Sequence, residues 1–271
     1  MVFLMAGCNG EESNSKEKEE TVKPDSMILA TTTSTQDSGL LDELIPIFEK
    51  KHNVKVKTIA VGTGEALAMG QKGEADALLV HAPKSEKAVV DAGDAINYKR
   101  VMYNDFIITG PHSDPAKIKG LSAVEALKKI NQTNFTFISR GDDSGTHKKE
   151  LDIWKSAGVN PKENKKYLET GQGMGATLQM AAEKQAYVLT DRATYLAQQK
   201  NLSDMDILVE GEENLKNIYH VMQVNPKKFK QINDKAAKSF VEFMISDDTQ
   251  RLIADFGKKE YNEPLFFSYT E

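Results

Sequence analysis

The stretch FTFISRGDDSGTH at 135–147 concentrates hydroxyls, glycines and one guanidinium in a short span. Its first residues are β-prone and alternate, then meet a Gly/Asp/Ser turn. The residues at 148–154 after it can be helical. The segment therefore reads as strand, polar loop and helix N-terminus. Such a terminus carries unpaired backbone N–H groups and a partial positive charge. Ser144, Gly145, Thr146 and Arg140 surround it, which makes an anion cradle of donors with one fixed positive charge. A capped helix beside a surface arginine is the plainer reading of the same residues.

Similar units recur along the chain. The apolar strand at 27–30 leads into the hydroxyl loop TTTST at 31–35, and Leu40, Leu41, Leu44, Ile45 and Phe48 then form an apolar stripe at helical spacing. Pro46 inside that stripe points either to a kinked helix or to slightly different helix bounds. Val54, Val56 and Thr58 alternate with lysines as a second strand ending at VGTGE, where Gly62 and Gly64 leave room for close approach of a ligand near Thr63. A buried strand at 77–80 leads into His81-Ala82-Pro83. Strand and helix alternate, so a mostly parallel sheet flanked by helices is expected, with ligands at the carboxyl ends of its strands. The long extended runs at 97–110 and 218–224 read as two hinge strands between lobes. The expected division is 27–110 plus 223–271 for one lobe and 111–222 for the other.

The chain of 271 residues is 39% hydrophobic, enough for a real core. Its net charge is 35 − 40 = −5, which argues against a nucleic-acid partner. Any anion must therefore be held locally, against the overall field. Residues 1–8 look like the end of a lipoprotein signal, with Cys8, the single cysteine, as the lipidation site. The polar, aromatic-free segment 9–26 is expected to be a flexible tether. A lipid anchor and tether would place the folded part outside the cytoplasmic membrane.

Catalytic patterns are sparse. The five histidines show no metal-ligand spacing, so no metal ligands are assigned. No cofactor is expected: Gly171-x-Gly173-x-x-Ala176 matches a loose dinucleotide fingerprint, but the strand before it is short and polar. Ser144 and His147 are the one candidate nucleophile pair, without a nucleophile elbow or a third orienting group. No catalytic residue is assigned, and a hydrolase is kept as the alternative from another class.

The Arg140-x-x-x-Ser144-Gly145-Thr146 spacing resembles the anion loop of periplasmic phosphate-binding proteins. The fuller set is closer to another group. ATTTST at 30–35, VGTGEAL at 61–67, LVHAP at 79–83, the 139–147 loop and Tyr187-x-x-x-Asp191-Arg192-x-Thr194-Tyr195 resemble, in order, the tungstate-binding proteins of ABC importers. That resemblance implies a two-lobe class II periplasmic binding protein fold. It also implies tungstate or molybdate as ligand, an ABC transporter permease as partner and no enzymatic activity. Thr32, Thr33, Ser34 and Thr63 would donate from one lobe; Arg140, Ser144, Gly145 and Thr146 would donate from the other, with Arg192 as a further positive charge. These oxometalates are dianions without a proton at neutral pH, so their site wants donors alone. Phosphate-binding proteins generally carry an aspartate where this chain has the His81 loop, which argues against phosphate.

Overall fold

A computed structural model describes residues 25–270. The expected lipidation site Cys8 and all but the last two residues of the expected tether lie outside them. The strands are β1 (Asp25–Thr32), β2 (Val54–Val61), β3 (Ala77–Val80), β4 (Ala95–Pro111), β5 (Phe137–Ser139), β6 (Tyr167–Glu169), β7 (Tyr187–Asp191), β8 (Met205–Val209), β9 (Lys216–Val224) and β10 (Phe267–Ser268). The helices are α1 (Thr33–Asp37), α2 (Leu40–His52), α3 (Thr63–Lys72), α4 (Pro83–Asp91), α5 (Ala123–Gln132), α6 (Gly145–Ser156), α7 (Met174–Glu183), α8 (Arg192–Gln198), α9 (Asp234–Met244), α10 (Asp247–Asp255) and α11 (Lys258–Tyr261).

The sheet order is β2-β1-β3-β9-β4-β7-β5-β6, with β8 and β10 also paired to β4. The β1–β2 and β1–β3 pairs are parallel in one half, as are β5–β6 and β5–β7 in the other. Between these halves, β9 and β4 run antiparallel to their neighbours. Each lobe is thus the expected helix-flanked parallel unit, closed by a strand that arrives from the hinge.

The crossing point is set by β4. Residues up to Asp105 pair with β9, whereas Phe106 onward pairs with β7 and then β8. The return runs through the residues before Lys216, where β9 begins. The partner change on β4 and the start of β9 both lie earlier in the chain than the 110/111 and 222/223 limits expected from the extended runs. β4 stays extended through the crossing, which is marked in the sequence only by the polar pair Asn104-Asp105.

The helix containing Pro46 runs unbroken from Leu40 to His52. Pro46 and Asp42 both lie on its exposed side, so the carbonyl that proline leaves without a donor faces water. Leu40, Leu41, Leu44 and Phe48 are buried on the opposite side, and Phe48 packs edge-on against Phe240. One apolar cluster joins residues of both lobes, including Leu29 and Leu79 with Ile138, Leu178 and Val188. A second cluster around Phe137, Trp154 and Tyr187 lies within the lobe built on β5–β8. Burying these side chains, at roughly 1.5–3 kcal/mol each, is what holds the sheet ends in fixed positions.

Candidate functional site

Three helices begin at the ends of strands or loops where the lobes meet. Thr32 ends β1 and caps α1, its side chain accepting from the Thr35 N–H. Gly62 follows β2 and precedes α3, which opens at Thr63. In the opposite lobe, Ser144 caps α6 by accepting from the His147 N–H. These termini bring unpaired N–H groups and partial positive charge to one place.

Direct bonds join the two sides. The Gly145 N–H donates to Thr63 Oγ1 at 2.9 Å, and Arg140 Nη2 donates to Thr33 Oγ1 at 3.0 Å. The Gly175 N–H donates to Asp37 Oδ2 at 3.2 Å, and Thr194 Oγ1 donates to the Ser34 carbonyl at 3.4 Å. Lys84 and Asp152 form an exposed ion pair at 2.7 Å, worth little by itself. The glycines expected to admit a ligand are instead approached by the opposite loop. A Cβ on Gly62 would lie 3.1 Å from the Asp142 carbonyl oxygen, and one on Gly64 would strike the Asp143 side chain.

The donors are buried. Thr32, Ser34, Thr63, Ser144 and Thr146 are each at most 1% exposed, and Arg140 is 2% exposed. Two of these groups, Arg140 Nε and Thr146 Oγ1, are buried polar atoms without a hydrogen-bond partner. A buried donor left unpaired costs about 1–3 kcal/mol, more when charged, so a group that satisfies both is favoured here.

Arg140 is not free of carboxylates. Asp142 Oδ2 accepts from its Nη2 at 2.5 Å, while Asp142 Oδ1 accepts from the Ser144 N–H at 3.2 Å. Both Asp142 oxygens are thereby engaged, and the carboxylate fixes the guanidinium in place. Arg192 is not brought to this cradle. Its guanidinium makes a two-point bond to Asp105 at 2.7 Å and a third bond to Glu210 at 2.6 Å. Those carboxylates, one at each hinge crossing, make Arg192 a clasp of the hinge and hold its proton more tightly than usual.

Ser144 and His147 are linked by the helix cap, backbone N–H to side-chain oxygen, at 3.1 Å. The His147 ring accepts from the Asp143 N–H through Nδ1 at 3.1 Å. This is a capping arrangement and not a nucleophile held by a base. Among the described residues, no group of three or more His, Cys, Asp or Glu could hold a metal ion, and no helix is long and apolar enough to cross a membrane.

Sequence reasoning passed over the groups behind the hydroxyl loop. His81 is 3% exposed, and its Nε2 lies 3.1 Å from both Thr32 Oγ1 and Ser34 Oγ. Burial, and to a smaller degree the charge of Arg140, pushes it down to about 4 against the bond to Asn217, so the imidazole is neutral at pH 7. The signal available was the unusual histidine after β3; its partner Asn217 lies too far along the chain to be connected without the fold.

Glu150 positions the helix that carries the second set of donors. It is 2% exposed, and its Oε1 accepts from Trp154 Nε1 at 3.0 Å and from Tyr167 OH at 2.8 Å. Burial pushes its carboxyl up to about 7. The folded chain therefore keeps a proton that the unfolded chain loses near pH 4.5, and this contribution disappears as pH rises through 7. Glu150→Gln keeps the accepting oxygen and cannot ionise. Its stability relative to the parent is expected to climb between pH 4.5 and 7 by about 1–3 kcal/mol, then level off. Urea melts across that range check this; a pH-independent difference would contradict it.

Comparison with known proteins follows this geometry. A family model described as a PBP superfamily domain matches residues 11–248. The tungstate-binding protein TupA of Peptoclostridium acidaminophilum is 50% identical over 269 residues, covering 98% of this chain and 93% of that one. The crystal structure of the tungstate ABC transporter from Geobacter sulfurreducens aligns with a TM-score of 0.78 at 51% identity, covering 85% of this chain and 98% of that one. The tungstate-binding protein TupA from Desulfovibrio alaskensis G20 aligns with a TM-score of 0.76 at 45% identity, covering 91% and 100%. The chain belongs to the PBP superfamily and, within it, to the family of the tungstate-binding TupA proteins.

Proposed function

We propose that this protein is the extracytoplasmic solute-binding component of an ABC importer, capturing tungstate between its lobes for delivery to a membrane permease. The observation that carries the site assignment is the pair of partnerless buried donors, Arg140 Nε and Thr146 Oγ1, beside the hydrogen-bonded hydroxyls of Thr32, Thr33, Ser34, Thr63 and Ser144. Thr32, Thr33, Ser34 and Thr63 complete the donor set from one lobe, with Ser144 and the Gly145 backbone from the other. Arg192 is left out, because its positive charge is spent on Asp105 and Glu210. A dianion bonded from both sides favours the conformation in which the lobes meet, so binding and closure are one equilibrium.

The chemistry separates the ligand from its competitors. Phosphate carries a proton at neutral pH and is best held where an acceptor meets it, whereas the Asp142 carboxylate is turned to Arg140 and the Ser144 N–H. Sulfate lacks that proton but is smaller than the oxometalates. Isothermal titration with sodium tungstate, molybdate, sulfate and phosphate tests the reading. One tight site for the oxometalates is expected, with phosphate at least about 100-fold weaker, a difference of roughly 3 kcal/mol. Phosphate as the tightest ligand would overturn it. Hydrolysis of a test ester, lost in Ser144→Ala, would instead establish the hydrolase reading.

Cys8 carries the lipid in this account and keeps the binding lobes at the membrane surface. Cys8→Ala is expected to move the protein from the membrane fraction to the soluble one. An unchanged distribution would remove the anchor.

A further inference from the structure

Behind the hydroxyl loop lies a chain of side chains that runs through both hinge-connected strands. Asn104 on β4 and Asn217 on β9 are register partners just before and just after the crossings. Asn217 Nδ2 donates to Asn104 Oδ1 at 2.8 Å and to Tyr219 OH at 3.0 Å. Asn104 Nδ2 donates in turn to Asp191 Oδ1 at 3.4 Å. Asp191 also accepts from the N–H and the hydroxyl of Thr194, at 2.9 and 2.7 Å. The sense of each amide follows from the acceptor at the far end of this row.

That sense fixes the histidine. With both Asn217 Nδ2 hydrogens given to Asn104 and Tyr219, its Oδ1 faces His81 Nδ1 at 2.8 Å and can only accept. His81 therefore carries its proton on Nδ1, and Nε2 presents a lone pair. The groups at that lone pair are the Thr32 and Ser34 hydroxyls, each 3.1 Å away and 3.2 Å from one another; Thr32 Oγ1 also lies 2.7 Å from the Thr35 hydroxyl, which can supply it a proton. One lone pair can take one good hydrogen bond.

We propose that His81 is a positioning residue of the oxyanion cradle: its Nε2 accepts one proton from the Thr32–Ser34 hydroxyl pair and so fixes how that pair faces the ligand. One hydroxyl is committed backward to the imidazole. That hydroxyl turns its oxygen toward the ligand, while the other can keep its proton for the anion. His81 thus sets the hydrogen-bond sense of this corner without touching the anion. The ring also stacks on Tyr219 at 4.7 Å, which holds its plane. This proposal rests on the oxyanion-binding reading given above.

Two variants separate the accepting nitrogen from the bulk of the ring. In His81→Gln the terminal oxygen reaches the place of Nε2 and can accept. In His81→Asn the amide reaches only the place of Nδ1, so the bond to Asn217 survives and the acceptor is lost. Titration with sodium tungstate is expected to show H81Q within about 3-fold of the parent. H81N is expected to be about 10-fold weaker, as loss of one neutral hydrogen bond implies. Equal affinities in the two variants, whether both unchanged or both reduced, would overturn the proposal. Nitrogen-15 NMR of the histidine-labelled, ligand-free full chain decides the tautomer independently of any ligand and of variant folding. A protonated Nδ1 with a bare Nε2 is expected, and the reverse would overturn it. Failure of the parent protein to bind tungstate would instead count against the functional reading and leave the tautomer result standing.

Discussion

Replacing Arg140 with alanine is expected to weaken tungstate binding by about 10²- to 10⁴-fold, while the ligand-free protein stays folded. Among the described residues, Arg140 is the one positive charge placed in the cradle, and it is 2% exposed. Its Nη2 is occupied by Thr33 and Asp142, whereas Nε has no partner in the protein. Two charge-assisted bonds to a dianion, at about 1.5–3 kcal/mol each, give that range. The variant also strands Asp142, whose carboxylate would then face the ligand uncompensated, so the effect should fall at the upper end. Arg140→Lys is expected to recover only part of the loss, since an ammonium cannot serve Thr33, Asp142 and the ligand in one plane. Calorimetry on both variants checks this, with thermal melts to show that folding is retained. Arg140→Ala binding like the parent would remove Arg140 from the site.

A wedge at Gly145 is expected to produce the second large effect. A Cβ there would lie 3.0 Å from His81 Cε1, 3.1 Å from His81 Nδ1 and 3.2 Å from Thr63 Oγ1, all in the opposite lobe. Gly145→Val adds two further methyl groups and also disturbs the Gly145 N–H to Thr63 bond. Overpacking of this kind costs about 1–3 kcal/mol, and here it falls on closure alone. Tungstate affinity is expected to drop roughly 10- to 100-fold, because the ligand must now oppose the wedge. Small-angle scattering is the sharper readout. The parent should contract on adding tungstate, and Gly145→Val should contract less at the same saturation. Equal contraction in both would show that these loops do not meet as described.

The parts of this site that could be read from the sequence are those where chemistry is local. The hydroxyl run at 31–35 and the loop from Arg140 to His147 advertise donors and a helix start within a few residues. The alternation of strands and amphipathic helices gives the two parallel units. The change of partner lies before the end of the extended run because β4 stays extended across Asp105 and Phe106, and only pairing reveals it. Arg192 was misplaced for a related reason. Nothing in its neighbours announces Asp105 and Glu210, which reach it from distant positions. The His81–Asn217–Asn104 row depends on the same antiparallel register of β4 and β9. Pro46 shows the converse: a local rule pointed to an interruption, but the residue whose carbonyl loses its donor lies on the exposed side and the helix runs on from Leu40 to His52.

The most direct measurement is the position of tungsten, found by anomalous scattering from crystals grown with sodium tungstate. The account predicts one tungsten centre whose oxygens lie about 2.7–3.0 Å from Arg140 Nε and Thr146 Oγ1 on one side and from Thr63 and the Thr32–Ser34 loop on the other. A tungsten bound by one lobe alone, or held away from Arg140, would contradict it.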